Sequence, residues 1–272
     1  PLFSHVIGYI GPVSLEEKKY SKEFLYPLSY KSGKTGVEKT YEGLIRGVVG
    51  YKAIEVDAYG QELRELERVI PKKAQDLYLS LDKDLQMLAR SELAGRKGAI
   101  IALDPNNGLI KALVSSPDFN PNIFNGSETG EVVDILNNDQ SPIFNRALSG
   151  SYPPASTLKP FLGLLGLEKG VIDWSTTIQD DGFFQINGKG RKYRGWKEEG
   201  HGTVNLQKSI VESSDVFFYN LASQLTIESI SDFLELFGFG SKTGIDLYAE
   251  TDGILPDRQW KLGAIGESWF IG

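Results

Sequence analysis

A chain of 272 residues, 40% hydrophobic and 24% charged, holds enough apolar material for a packed core and lacks the composition of a disordered protein. Its net charge of −7 comes from 36 acidic against 29 basic residues, and the basic ones are scattered rather than gathered in a stripe, which argues against nucleic acid as a partner. There is no cysteine, so disulfides and thiolate metal sites are excluded while the compartment stays open.

The chain opens on "PLFSHVIGYIGPV", which has neither the basic start nor the cleavage pattern of a signal peptide. No run of about 18 apolar residues follows that would cross a membrane. Both ends are abrupt, the last being "GESWFIG", so the expectation is a piece of a longer polypeptide. Its length suits a large domain with a smaller companion. Residues 1–75 mix short alternating stretches such as "YKAIEVDAYG" with turn signals and read as a small β-rich or mixed region, with a boundary near Pro71.

Next, "DLYLSLD" (76–82) predicts a strand and "KDLQMLARSELAG" a helix closed at Gly95. "GAIIALDPNNGLIKALVSSPDF" places two apolar β-prone runs around the turn "DPNNG", the strongest hairpin signal in the chain. Strand, helix and hairpin without repeated βα units point to an α+β fold, an antiparallel sheet with helices packed on it. After residue 150 the pattern turns helical. Residues 156–168 form one helix, "NLQKSIVESSDVFFYNLASQL" two more broken at "ESSD", and "IESISDFLELFG" another stopped by glycines.

The chemistry concentrates at "SYPPASTLKP". Two prolines cannot lie inside a helix but suit its entry, so Ser156 sits at or near a helix N-terminus, with Lys159 one turn along on the same face. A hydroxyl is a weak nucleophile until an adjacent base takes its proton, and a lysine becomes that base when burial lowers its pKa. The helix N-terminus adds a positive field and backbone N–H donors near a developing oxyanion. The plainer alternative is a serine that caps a core helix and a lysine that extends from it. A second element, Ser213 and Asp215 in "VESSDVFFYNLA", lies at a polar break where both side chains can enter one cleft, or where they simply cap the helix that follows.

Together these residues resemble the penicillin-interacting serine acyltransferases, whose motifs are S-x-x-K, S-x-N or S-x-D, and lysine-threonine-glycine. Within them the chain resembles the class B penicillin-binding proteins of the elongation type. The likeness spans nearly the whole length, through "HVIGYIG", "GKTGVEKTYEGLIRG", "EVDAYGQELREL", "GAIIALDPNNGLIKALVSSPDFNPNIF", "FNRALSGSYPPASTLKP", "WKEEGHGTVNL" and "FGFGSKTGIDL". It implies a penicillin-binding transpeptidase (β-lactamase-like) fold over 76–272, incomplete at its C-terminal end, behind a pedestal or dimerisation-like domain fragment over 1–75. It implies a D,D-transpeptidase of peptidoglycan stem peptides. Ser156 would be the nucleophile and Lys159 its proton acceptor. Ser213 would relay a proton to the leaving amine, and Asp215 would orient Lys159 and the substrate amide. β-Lactams would acylate the same serine. No cofactor is implied. The implied partner is a membrane glycosyltransferase of the rod system, and the implied setting is the periplasmic face of the inner membrane.

Two features depart from the family pattern. Asp215 stands where many relatives have asparagine, and an ionised carboxylate accepts hydrogen bonds but cannot donate them. The third motif is not found. Lys34-Thr35-Gly36 precedes both other motifs, and Lys242-Thr243-Gly244 matches the family's "TGIDL" turn, so the true motif is expected beyond residue 272. "SGKTG" is no phosphate loop either, since Leu28 stands where that loop needs glycine. His201 lies near Asp180 and Asp181, a region where some relatives place metal ligands; the reading preferred is a surface loop over the cleft, with the aromatics of "DDGFFQINGKGRKYRGW" lining the substrate groove. His5 reads as structural. A β-lactamase, a non-catalytic β-lactam sensor or scaffold, and a pure interaction module are the rival readings.

Overall fold

The computed structural model describes residues 2–14, 16–17, 30–126 and 129–269. Leu28 and residues 270–272 of the closing stretch lie outside them. The chain divides into two compact units, Pro1–Gly150 with Gly244–Glu250, and Ser151–Thr243 with Thr251–Gly272.

In the first unit, helix α1 (Ser4–Ile7) leads into strand β1 (Ile10–Pro12), which pairs antiparallel with β2 (Lys31–Gly33). Short helices α2 (Gly36–Thr40) and α3 (Glu42–Ile45) follow. Gly33 is required where it stands, because a Cβ there would lie 1.9 Å from the Glu38 carbonyl oxygen of α2. The Lys34-Thr35-Gly36 string is architectural. Lys34 pairs with Glu17 at 2.6 Å. Burial would raise the Glu17 carboxyl, but the hydrogen bonds from Lys34 and the Ser14 amide prevail and hold it at about 2.

Strands β3 (Tyr51–Val56) and β4 (Glu62–Val69) form an exposed hairpin with two register shifts, and the Asp57 carboxylate closes its turn by accepting the Tyr59 and Gln61 amides. The mixed character expected of residues 1–75 is present. The strand expected over 76–82 is not. "DLYLSLD" turns Leu77 and Leu81 toward the core and exposes Tyr78, but among the described residues its one backbone amide bonded to a strand carbonyl is that of Asp82, to Lys111, while the Ser80 hydroxyl donates to the Ile110 carbonyl. Alternating leucines met the pattern of a strand without a neighbour in position to complete the ladder.

Asp82 instead caps helix α4 (Lys83–Leu93), accepting the Asp84 and Leu85 amides at 2.9 Å. The helix ends at Leu93 with a left-handed Ala94 as its cap, just ahead of Gly95, the expected stop, which is left-handed too. It packs on the hairpin β5 (Gly98–Leu103) and β6 (Ile110–Ser116), where the buried Gln86 side chain bonds both the amide and the carbonyl of Leu113 at 2.8 Å. Helix α5 (Thr129–Leu136) follows. His5 is structural as expected. It is buried, donates from Nε2 to the Pro142 carbonyl at 2.7 Å and meets Phe119 edge-on. The returning segment 244–250 packs Ile245 and Leu247 on the cluster of Val6, Val37, Leu113 and Leu148.

The second unit begins with a 3-10 turn, Ala155–Leu158, and helix α6 (Lys159–Glu168). Strands β7 (Thr177–Asp180), β8 (Phe183–Phe184), β9 (Tyr193–Arg194) and β10 (Gly202–Asn205) follow, with β7 paired to β10 and β8 to β9. Helices α7 (Leu206–Val211), α8 (Asp215–Ala222), α9 (Ile227–Glu235) and α10 (Arg258–Ile265) complete it. Every strand pair among the described residues is antiparallel and two-stranded. The core gathers Leu165, Val204, Leu206, Phe217, Leu221 and Phe233.

The glycines of "FLGLLGL" let other elements approach α6. A Cβ on Gly163 would stand 2.7 Å from Leu206 Cδ1, and one on Gly166 would stand 2.8 Å from Leu221 Cδ1 and 2.9 Å from Ile172 Cγ1. That contact fixes α6 against α7 and α8, the helices on either side of the second motif. Gly166→Leu is expected to cost about 1–3 kcal/mol through overpacking and lower the melting temperature by several degrees. Gly130→Leu, in open space on α5, serves as the control and is expected to leave it in place. Equal melting temperatures for the two variants would contradict this packing.

Candidate active site

Ser156 lies on the 3-10 turn, exposed, after Pro153, Pro154 and an Ala155 held at φ +51. Its hydroxyl caps neither the turn nor α6, whose N-cap residues are Pro154 and Leu158. The amides of Thr157 and Lys159 already donate to the Pro154 and Ser156 carbonyls, so these two are not free oxyanion donors.

Lys159 opens α6 and is buried, its side chain 10% exposed. A charge so placed needs partners. Nζ donates to three oxygens, two on the loop before α8 and one on its first residue: the Ser213 carbonyl at 2.8 Å, Ser213 Oγ at 3.0 Å and Asp215 Oδ1 at 2.6 Å. The Phe218 ring lies 5.7 Å from the ammonium. Ser213 Oγ in turn donates to Ser156 Oγ at 2.8 Å. All four residues singled out in the sequence therefore meet, with one change to the expected wiring. Among the described residues no hydrogen bond joins Lys159 to Ser156 directly; the connection runs through the Ser213 hydroxyl.

The loop that makes this possible is Glu212–Ser214, between α7 and α8. Ser213 takes a left-handed backbone, φ +54, which costs a non-glycine residue about 1–3 kcal/mol and persists only where its surroundings enforce it. Capping of α8 falls to Ser214, whose Oγ accepts the Phe217 amide at 3.3 Å. Ser213 and Asp215 are thereby left for Lys159. Asp215 stands in the first turn of α8, where the helix field favours a carboxylate, and its Oδ2 accepts the Trp196 amide at 3.1 Å.

Behind the loop lies a second polar cluster. Asp180 at the end of β7 is buried and accepts Ser214 Oγ at 2.6 Å, the Gly182 amide at 2.9 Å and His201 Nδ1 at 2.8 Å. Burial alone would raise its carboxyl, but the bonds from Ser214, Gly182 and His201 outweigh burial and hold it below the usual carboxylate range. The His201 side chain is 4% exposed, so the surface loop expected here is corrected at this residue: pairing of β7 with β10 carries His201 inward onto Asp180. These residues do not fit a metal. Asp180 and His201 bind each other, their third neighbour is a hydroxyl, and among the described residues no group of three or more His, Asp or Glu is placed to hold an ion.

The penicillin binding protein transpeptidase domain matches residues 98–270, and the penicillin-binding protein dimerisation domain matches residues 1–79. The chain belongs to the penicillin-binding protein transpeptidase family. Over 272 residues, all of this chain, it is 46% identical to the peptidoglycan D,D-transpeptidase MrdA of Acinetobacter baumannii and spans 40% of that protein. It is similar to the PBP2 of Helicobacter pylori solved in complex with MreC, with a TM-score of 0.87 and 41% identity, covering 99% of this chain and 50% of that one. It is also similar to the Pseudomonas aeruginosa PBP2 solved in complex with WCK 5153, with a TM-score of 0.86 and 37% identity, covering 99% of this chain and 56% of that one. The fold is that of the penicillin-binding transpeptidases, with a dimerisation domain at the N-terminal end.

Around this family's site the aromatics divide. Phe184, Tyr193 and Tyr219 cluster with ring centroids 6.1–6.4 Å apart, and Trp196 is largely exposed while its indole N–H holds the Glu212 carbonyl. Sequence reading passed over Ser214 and left Asp180 in a surface loop. A strand-end aspartate with a histidine and a serine far along the chain gives no local signal.

Asp180 supplies a pH test. Its folded pKa is depressed, so its contribution to stability is present above the unfolded value of about 3.9 and is lost as pH falls through the folded one. Asp180→Asn is expected to melt below wild type at pH 7, with the gap closing as pH drops below about 4. A gap that stays constant down to pH 2, followed by circular dichroism, would contradict the ionised pairing.

Proposed function

We propose that this chain is the part of a peptidoglycan D,D-transpeptidase that carries its nucleophile. The observation that supports this is the hydrogen-bonded path from Ser156 Oγ through Ser213 Oγ to Lys159 Nζ and on to Asp215. When the amine has lost a proton, it keeps its bonds to the Ser213 carbonyl and Asp215 and turns its lone pair on the Ser213 hydroxyl. As Ser156 Oγ attacks the carbonyl between two terminal D-alanines, its proton passes to Ser213 Oγ while the Ser213 proton passes to Nζ. The tetrahedral adduct collapses, the C–N bond breaks, and the last D-alanine leaves as an amine that takes a proton back along the same path. The ester on Ser156 is then attacked by an amine of a neighbouring stem, which forms the cross-link and restores the serine. A β-lactam enters at the first step, because its strained amide offers the same carbonyl.

Lys159 is thus the proton acceptor, Ser213 the relay and Asp215 the group that orients the lysine. The relay position goes further than the role first assigned to Ser213, which concerned the leaving amine alone. We read residues 1–75 as the pedestal and 76–272 as the transpeptidase portion. The active domain would face the periplasm beside a membrane glycosyltransferase of the rod system; the Helicobacter relative solved in complex with MreC supports the coarser reading, that such a chain works in a protein assembly.

Incubating the full-length protein with benzylpenicillin and weighing it intact tests this reading. One adduct per chain is expected, absent from Ser156→Ala and formed at least about 100-fold more slowly by Lys159→Ala. Full labelling of Ser156→Ala would sink the assignment. An adduct that disappears within seconds while free penicillin is consumed would indicate a hydrolase. A stable adduct without release of D-alanine from a pentapeptide would indicate a sensor.

A further inference from the structure

Three consecutive residues share the work of the second motif unequally. Ser213 and Asp215 turn to Lys159, while Ser214 between them is wholly buried and turns the other way, onto Asp180. Ser214 is fully committed. Its amide donates to the Ser209 carbonyl at 2.9 Å, its Oγ accepts the Phe217 amide, and its hydroxyl proton goes to Asp180 Oδ2. The same Asp180 oxygen receives His201 Nδ1, and since an ionised carboxylate can only accept, that nitrogen carries a proton. The other ring nitrogen, Nε2, is buried without a partner among the described residues. His201 also lies edge-on to Trp196, with centroids 5.4 Å apart, and the Trp196 backbone N–H holds Asp215 Oδ2.

The buried pair therefore reaches the lysine-binding loop at two points, Ser214 directly and Asp215 by way of Trp196. A loop whose Ser213 sits at φ +54 relaxes unless something enforces that backbone. We propose that Asp180, oriented by His201, is a positioning residue for acylation: it fixes Ser214 from behind, so that Ser213 and Asp215 stay within hydrogen-bond range of Lys159 and Ser156. The carboxylate touches neither substrate nor nucleophile. This inference rests on the transpeptidase reading, and its test separates the two.

The experiment is stopped-flow acylation of the full-length protein by a fluorescent penicillin, with the maximal rate, the half-saturating concentration and the final labelled fraction measured separately. Asp180→Asn puts an amide NH2 against at least one of the three donors and removes the charge, and its maximal rate is expected to fall about 10- to 100-fold, with half-saturation within twofold of wild type and labelling still near one per chain. His201→Ala is expected to fall about 5- to 20-fold, and His201→Asn, which keeps a donor near the Nδ1 position, to recover most of that loss. A purely structural role predicts a lower labelled fraction at an unchanged rate, and that result would overturn the proposal. So would wild-type rates in all three variants. If Asp180→Asn does not fold, the His201 pair decides by the same criteria. Failure of the unmodified protein to label at Ser156 would instead remove the functional reading itself.

Discussion

A buried ammonium governs the second unit. Lys159 lies at the start of α6, and the start of a helix offers free N–H groups, not acceptors. An ammonium has three hydrogens to place, and leaving even one unpaired away from water costs several kcal/mol. The acceptors must come from another segment: Ser213, in the loop between α7 and α8, supplies a carbonyl and a hydroxyl, and Asp215, at the start of α8, a carboxylate. The glycine face of α6, the break between α7 and α8 and the left-handed backbone of Ser213 all satisfy that one requirement. The nucleophile inherits its surroundings from it, since the hydroxyl that accepts from Lys159 is the one that donates to Ser156.

The same constraint explains why the loop has two sides. A segment that presents its carbonyl together with its side chain to one cation must turn sharply. Ser213 turns at φ +54, and its neighbour Ser214 is thrown to the opposite face. There it meets a carboxylate that has no access to water and is satisfied by three donors. Two buried ions of opposite sign thus lie on either side of one strained residue, each fully hydrogen-bonded. An arrangement of this kind stabilises less than an apolar core of equal volume would, but it specifies one geometry.

Much of this was legible in the sequence where the signal is local. The hairpin around "DPNNG", a helix stop at Gly95 and the break at "ESSD" follow from turn chemistry and period, and two prolines with a three-residue spacing place Ser156 and Lys159 at a helix entry without deciding that they are a catalytic pair. The functional reading of all four residues needed the family resemblance, because a serine at a helix entry with a lysine one turn on, and serine and aspartate before an apolar run, are ordinary caps and surface extensions. Three features were not legible. "DLYLSLD" has the alternation of a strand, and strand formation depends on a neighbour that periodicity does not report. The relay through Ser213 in place of direct contact depends on side-chain reach across two elements. The Asp180 cluster joins residues 21 and 34 positions apart, brought together only once β7 pairs with β10.

The central claim is that Lys159 acts on Ser156 through Ser213, as a single unit. A double-mutant cycle of penicillin acylation, using Lys159→Ala, Ser213→Ala and the pair in the full-length protein, tests it most directly. Residues that act as one unit are strongly non-additive, so the double variant is predicted to acylate within about threefold of the slower single variant. Losses that multiply across the two substitutions would mean that lysine and serine reach the nucleophile independently, and would contradict the relay.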